Sequence, residues 1–81
     1  TSMPRFFFSI VSGQHILDDD EGSDLASLDQ AIEEAHKDAR ELMSEAILQG
    51  RDISEGCVVI RDSARELLKV VPFADALDRK P

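Results

Sequence analysis

Apolar and polar positions along the chain change period twice. In "PRFFFSIVSG" Phe6, Phe8 and Ile10 point one way and Phe7, Ser9 and Val11 the other. That alternation predicts a strand, and apolar side chains on both sides near its start predict a central position with both faces covered. "SGQ" at 12–14 is a turn signal, after which "HIL" at 15–17 returns as a short second strand. The period then becomes helical: Leu28, Ile32, Ala35, Ala39, Leu42 and Ala46 form one stripe, broadened by Ala31, Met43 and Ile47. Ser27 and Gln30 make an S-x-x-Q capping box, Asp29 suits the positive end of the dipole, and Gly50 supplies a left-handed closing residue. Such a helix of about 22 residues is about 33 Å long, enough to cross a four-stranded sheet. Its outer face carries Glu33, Lys37 and Glu41 with Arg40, a spacing that predicts solvated i,i+4 pairs.

Beyond "GRDISEG" the alternation resumes. "CVVIRD" (57–62) reads as a strand, "SAR" as a tight turn, and "ELLKVV" (66–71) as the returning strand, ended by Pro72. "FADALDR" adds one helical turn. The predicted architecture is α+β, in the order β-β-α-β-β: an antiparallel sheet with one long amphipathic helix packed on one face. It forms a single domain over 3–78, with no internal repeat. Thr1-Ser2 reads as a vector-derived scar before a native start at Met3, and 79–81 as a frayed tail.

Composition narrows this picture. At 81 residues the chain is near the lower size for a self-sufficient core, and its four Phe are its only aromatic residues. A homodimer interface covering the free sheet face would help so thin a fold. The net charge is −8 and is unevenly placed: residues 18–45 hold eleven acids and two bases, the remainder six acids and seven bases. That surface repels a phosphate backbone, which argues against nucleic acid, and attracts a basic protein partner, although solubility alone is also served. The lone Cys57 forms no internal disulfide and belongs to no zinc motif, consistent with a reducing cytoplasm. No run is long enough for a membrane helix, and Phe6–Val11 is too short for a signal-peptide core.

The stretch with the look of chemistry is "LDDDEGSDL", residues 17–25. As an EF-hand loop with Gly22 at position 6, its first and twelfth positions fall on Leu17 and Leu28, so both end ligands are missing. Neighbouring carboxylates on one loop cannot face each other across a cleft as a glycosidase pair must. A divalent cation at Asp18–Glu21 is the lesser reading, and a hydrated turn around Gly22 the main one. His15, His36 and Cys57 match no metal spacing and read as surface imidazoles and a small buried thiol. "GRDISEG" has no phosphate-loop pattern. Phe6–Phe8 lacks the glycine and basic residues of an RNA-stacking sheet, and Arg51, Arg61, Arg65 and Lys69 give the C-terminal hairpin a weakly basic character. No catalytic residue, cofactor site or metal site is assigned. The candidate interface residues are Phe7 and Val11 on the strand side away from the helix, and Glu33, Lys37 and Glu41 on the helix.

Taken together, "MPRFFFSI", "DDDEG", "SLDQAIEEAHKDARELMSEAI" and "CVVIRDSARELLKVVPFADAL" resemble a family of short, uncharacterised alphaproteobacterial proteins. These begin M-P-R-[YF]-F-F and carry an acidic stretch ending in E-G before an alanine-rich helix. The resemblance spans Met3 to Leu77 and implies a compact cytoplasmic α+β domain without bringing a catalytic residue. Here the acidic stretch is longer than the usual D-E-E-G. Residues 6–47, with the entry Ser27-Leu28-Asp29-Gln30-Ala31, are also similar to HicB-type antitoxins, but no DNA-binding tail follows the sheet. The expectation is a non-catalytic cytoplasmic interaction domain, self-association included. The alternative is an antitoxin-like inhibitor of a basic protein, and an enzyme or metal switch built on Asp18–Glu21 comes third.

Overall fold

The computed structural model describes residues 3–77; the scar expected at 1–2 and the tail expected at 79–81 lie outside them. The elements follow as β1 (Arg5–Ser12), β2 (His15–Leu17), β3 (Ser23–Asp24), α1 (Leu28–Leu48), β4 (Cys57–Arg61), β5 (Leu67–Pro72) and a 3-10 turn at Phe73–Ala76. All strand pairs are antiparallel and the sheet runs β2-β1-β4-β5, with β3 also on β1. The α+β layer read from the sequence is therefore present, and β1 is interior as expected, but among the described residues only one of its two faces is covered.

β3 was not expected, because two polar residues carry no period. Its register explains the acidic run. Ile10 pairs with Leu17 and Phe6 with Ser23, so residues 7–9 of β1 lie opposite residues 18–22 of the returning arm. Two extra residues must loop out, and the carboxylates of Asp18–Glu21 sit in that loop.

α1 covers the sheet face that carries Phe6, Phe8, Val58, Ile60 and Val71. It presents Ala31, Ala35, Ala39, Met43 and Ala46, a nearly all-small line that lets the helix axis approach the strands. Leu28, Ile32 and Leu42 flank that line half-buried. Ile47, expected in the stripe, is instead 67% exposed. Successive helical residues differ by about 100°, so Ile47 stands about that far around from Ala46, which is 1% exposed, and falls outside the buried line.

The helix ends follow their signals. Ser27 Oγ accepts from the Gln30 N–H, while Gln30 Oε1 accepts from Ala26 N–H, one residue before the expected reciprocal partner. At the other end Arg51 N–H donates to Ala46 O and Gly50 N–H to Ile47 O, a Schellman closure around Gly50 at φ 78°. The i,i+4 pairing expected among Glu33, Lys37, Glu41 and Arg40 is absent. Arg40 Nη1 donates instead to Ala76 O at 3.1 Å, tying the helix to the 3-10 turn, and the one ion pair among the described residues is Arg5–Asp24. That turn stands where one helical turn was expected; Phe73 is fully buried and its N–H donates to Gly56 O.

In the C-terminal hairpin, Arg65 N–H donates to Asp62 O, and Asp62 Oδ1 accepts from the N–H groups of Ala64 and Glu66. Arg65 takes φ 67°, a left-handed position usually given to glycine. Ile60 pairs with Lys69 and Arg61 with Leu67, so Leu68 is the extra residue of a bulge just beyond the turn.

Candidate interaction surfaces

Among the described residues one long helix covers one face of the sheet, and the second face is bare. Register places its side chains in three cross-strand rows: Ile16–Val11–Cys57–Pro72, Ser9–Val59–Val70 and Phe7–Arg61–Leu67. Ile16, Val70 and Leu67 are exposed, while Phe7, Val11 and Val59 are half-buried by their neighbours alone. A depression of about 390 Å³ is centred here, lined by Phe7, Ser9, Val11, Ile16, Asp18, Val59, Arg61 and Arg65.

A polar chain runs through its middle. Arg61 Nη1 donates to Ser9 Oγ at 3.2 Å, and Ser9 Oγ donates to Asp18 Oδ1 at 2.9 Å. Ser9 is 7% exposed, so its hydroxyl must be satisfied, and this chain uses it once as acceptor and once as donor. The left-handed Arg65 places its guanidinium carbon 5.0 Å from the Phe7 ring centroid, a cation–π distance. The bare face thus carries two arginines in a chain of net charge −8.

On the helix side, a cleft of about 730 Å³ opens between α1 and β1. Phe8, Ile10 and Leu42 form its apolar part, and Asp19, Asp38, Glu41 and Glu45 its acidic part. The Asp38 carboxyl is pushed above its ordinary value, first by partial burial and then by the negative charges of Glu34 and Glu41. Lys37 acts against this and Asp19 adds to it.

The acidic loop separates its own charges. Asp18 reaches Ser9 on the bare face, whereas the next residue, Asp19, lines the helix-side cleft. Asp19 Oδ1 also accepts from the N–H groups of Glu21 and Gly22, both at 3.1 Å. Gly22 stands at φ 75°, and a Cβ there would lie 2.8 Å from Arg5 Cγ and 2.9 Å from Phe7 Cε2, so only glycine fits the bend. Arg5 clamps the loop exit: its Nε and Nη2 meet Asp24 at 3.0 and 3.3 Å, and Nη1 donates to Glu21 O. The bond to Asp24 and its charge raise the Arg5 pKa. Among the described residues, no three His, Cys, Asp or Glu side chains are grouped as metal ligands would be. His36 is on α1, and register puts Cys57 on the opposite sheet face, so the sheet separates them.

The five interface candidates therefore fall on two sides. Phe7 and Val11 share the bare face; Glu33, Lys37 and Glu41 are exposed on α1, with Glu41 in the cleft. Ile16, Val59, Leu67 and Val70 join Phe7 and Val11 on the bare face, and the alternation of "CVVIRD" already puts Val59 opposite Val58 and Ile60. The cleft carried no such signal, because Asp19, Ile10 and Leu42 are distant in sequence. Among the described residues no helix is long and apolar enough to cross a membrane.

The chain belongs to the family described as domain of unknown function DUF6894, whose model matches residues 5–74, from the first residue of β1 into the 3-10 turn. No curated protein and no solved structure shows a significant match to it. The likeness to an uncharacterised family is borne out at the level of the family alone.

Proposed function

We propose that this chain is a non-catalytic, cytoplasmic protein-interaction domain that pairs with a second copy of itself through the bare face of its sheet. The observation that carries this reading is the second sheet face, where Phe7, Val11, Ile16, Val59, Leu67 and Val70 surround the Arg61–Ser9–Asp18 chain with no covering element among the described residues. Burying half-exposed Val11, Val59 and Val70 against an equivalent surface removes apolar area from water at about 25 cal/mol per Å². The charges on that face suit an isologous contact, because Asp18 of one copy can meet Arg61 or Arg65 of the other, twice over.

Light-scattering mass across a concentration series tests this. Wild-type chain is expected at twice the monomer mass, and Val59→Glu at monomer mass with unchanged circular dichroism. A wild-type monomer at every concentration overturns the dimer. A second reading, an antitoxin-like inhibitor of a basic protein, draws support from the uneven charge and the acidic cleft. It calls for a partner whose binding weakens as salt rises.

A further inference from the structure

We propose that the cleft between α1 and β1 is a docking groove for a cationic amphipathic segment of a partner protein. Its apolar residues would settle against Phe8, Ile10 and Leu42, and its Lys or Arg residues would meet Asp38, Glu41 and Glu45. The inference rests on the reading as an interaction domain and is independent of the dimer.

The groove exists for a reason visible in the fold. β2 has only three residues, and the returning arm then loops out over 18–22, so among the described residues no strand pairs with the middle of β1 on the edge away from β4. The alanine line of α1 seats the helix over the centre of the sheet and leaves Leu42 at the side, with Ile10 half-buried below. At about 730 Å³ the space is in the range of formed binding pockets.

The rim decides the sign of the occupant. Its acids come from two separate elements, Asp19 from the loop and the others from α1. None of them is in the one ion pair among the described residues, Arg5–Asp24. Arg40 also lines the cleft, with Nη1 donating to Ala76 O, and its one positive charge stands against four carboxylates. An acidic peptide or a nucleic acid would add like charge to this rim, and a bare cation would leave the apolar floor uncovered. A segment with both Leu-type and Lys-type residues satisfies both halves.

A fluorescent two-heptad peptide of Leu and Lys, patterned as an amphipathic helix, is the probe, with oligolysine of equal charge and the Leu–Glu counterpart as controls. Anisotropy on the full chain should show the Leu–Lys peptide binding at least about tenfold tighter than oligolysine, equivalent to about 1.4 kcal/mol, with loss of affinity as salt rises. Methyl and backbone shifts should centre on Ile10 and Leu42. The triple variant Asp38→Asn, Glu41→Gln, Glu45→Gln should weaken binding about tenfold or more, while Val59→Glu leaves it unchanged. Equal binding of oligolysine, shifts centred on Val11 and Val59, or an inert triple variant would each overturn the groove. Groove binding by a chain that stays monomeric would overturn the dimer and leave the groove standing.

Discussion

The two sides of this sheet start from the same material and finish differently. Val58 and Ile60 point to one side and Val59 to the other; Phe6 and Phe8 to one, Phe7 to the other. On the first side the residues are essentially removed from water by α1, on the second they remain half-buried or exposed. Strand alternation in a short chain supplies two apolar faces, and a single helix can cover only one. The charges differ too: four carboxylates and Arg40 line the helix-side cleft, whereas the bare face sets Asp18 beside Arg61 and Arg65. The contrast shows where the fold is held, and where it has surface left for something else.

The largest expected effect comes from truncating one residue of each side. Ile60→Ala leaves a cavity among fully buried neighbours and should cost about 2–5 kcal/mol, a large part of the stability of so small a domain. Val59→Ala, one residue along the same strand, should cost less than about 1 kcal/mol at low protein concentration. Urea melts of the two variants read the difference directly. If Val59→Ala costs as much as Ile60→Ala only at high concentration, the bare face is covered by a second copy, and the melting temperature will depend on concentration. Equal costs at every concentration would mean that the two sides do not differ as the fold implies.

How much of this contrast could be read from the chain depends on how far apart its parts are. The helix was legible because Leu28 to Ala46 repeat over five turns and Ser27, Gln30 and Gly50 mark the ends. The strands were legible because each alternates within itself. The extra residues opposite 7–9 were not, since a loop-out is a property of the register between two strands and neither strand contains it alone. The Arg61–Ser9–Asp18 chain joins residues 52 and 9 positions apart, and Arg65 sits in a conformation that a glycine would have announced. Ile47 looked like a broadening of the stripe, yet it stands about 100° around the helix from buried Ala46, and an apolar side chain at a stripe's margin does not say on which side of that margin it falls.

Arg65 offers a finer test of the bare side. Arg65→Ala removes the cation–π contact with Phe7 and keeps a Cβ in the left-handed region; Arg65→Gly removes the same contact and relieves the backbone. The glycine variant should therefore be more stable than the alanine variant by about 1 kcal/mol in chemical denaturation. Indistinguishable variants would mean that the turn does not hold this residue left-handed. The comparison isolates the turn from the face, since both substitutions strip the guanidinium equally.

The smallest effect belongs to the covered side and concerns charge alone. Asp38 has Glu34 four residues before it and Glu41 three residues after it, both neighbours on the helix surface. Asp38→Asn should raise stability at neutral pH by about 0.5 kcal/mol, from two relieved like-charge pairs at roughly a few tenths each. The sign with pH follows from the raised carboxyl. Because the folded chain holds this proton more tightly than the unfolded chain, the penalty is fully present above the folded pKa, and lowering the pH through it toward the ordinary 3.8 removes the penalty. Asp52 runs the other way: N–H donation from Ser54 lowers its pKa, so its stabilisation is present at neutral pH and fades as pH falls through the lowered value. Subtracting the Asp38→Asn melting temperature from the wild-type one at each pH cancels Asp52 and other shared carboxylates. That difference should be negative at neutral pH and shrink to nothing in acid. A difference that stays constant would place the effect in packing rather than charge, and would weaken the case that the rim of this groove is short of a cation.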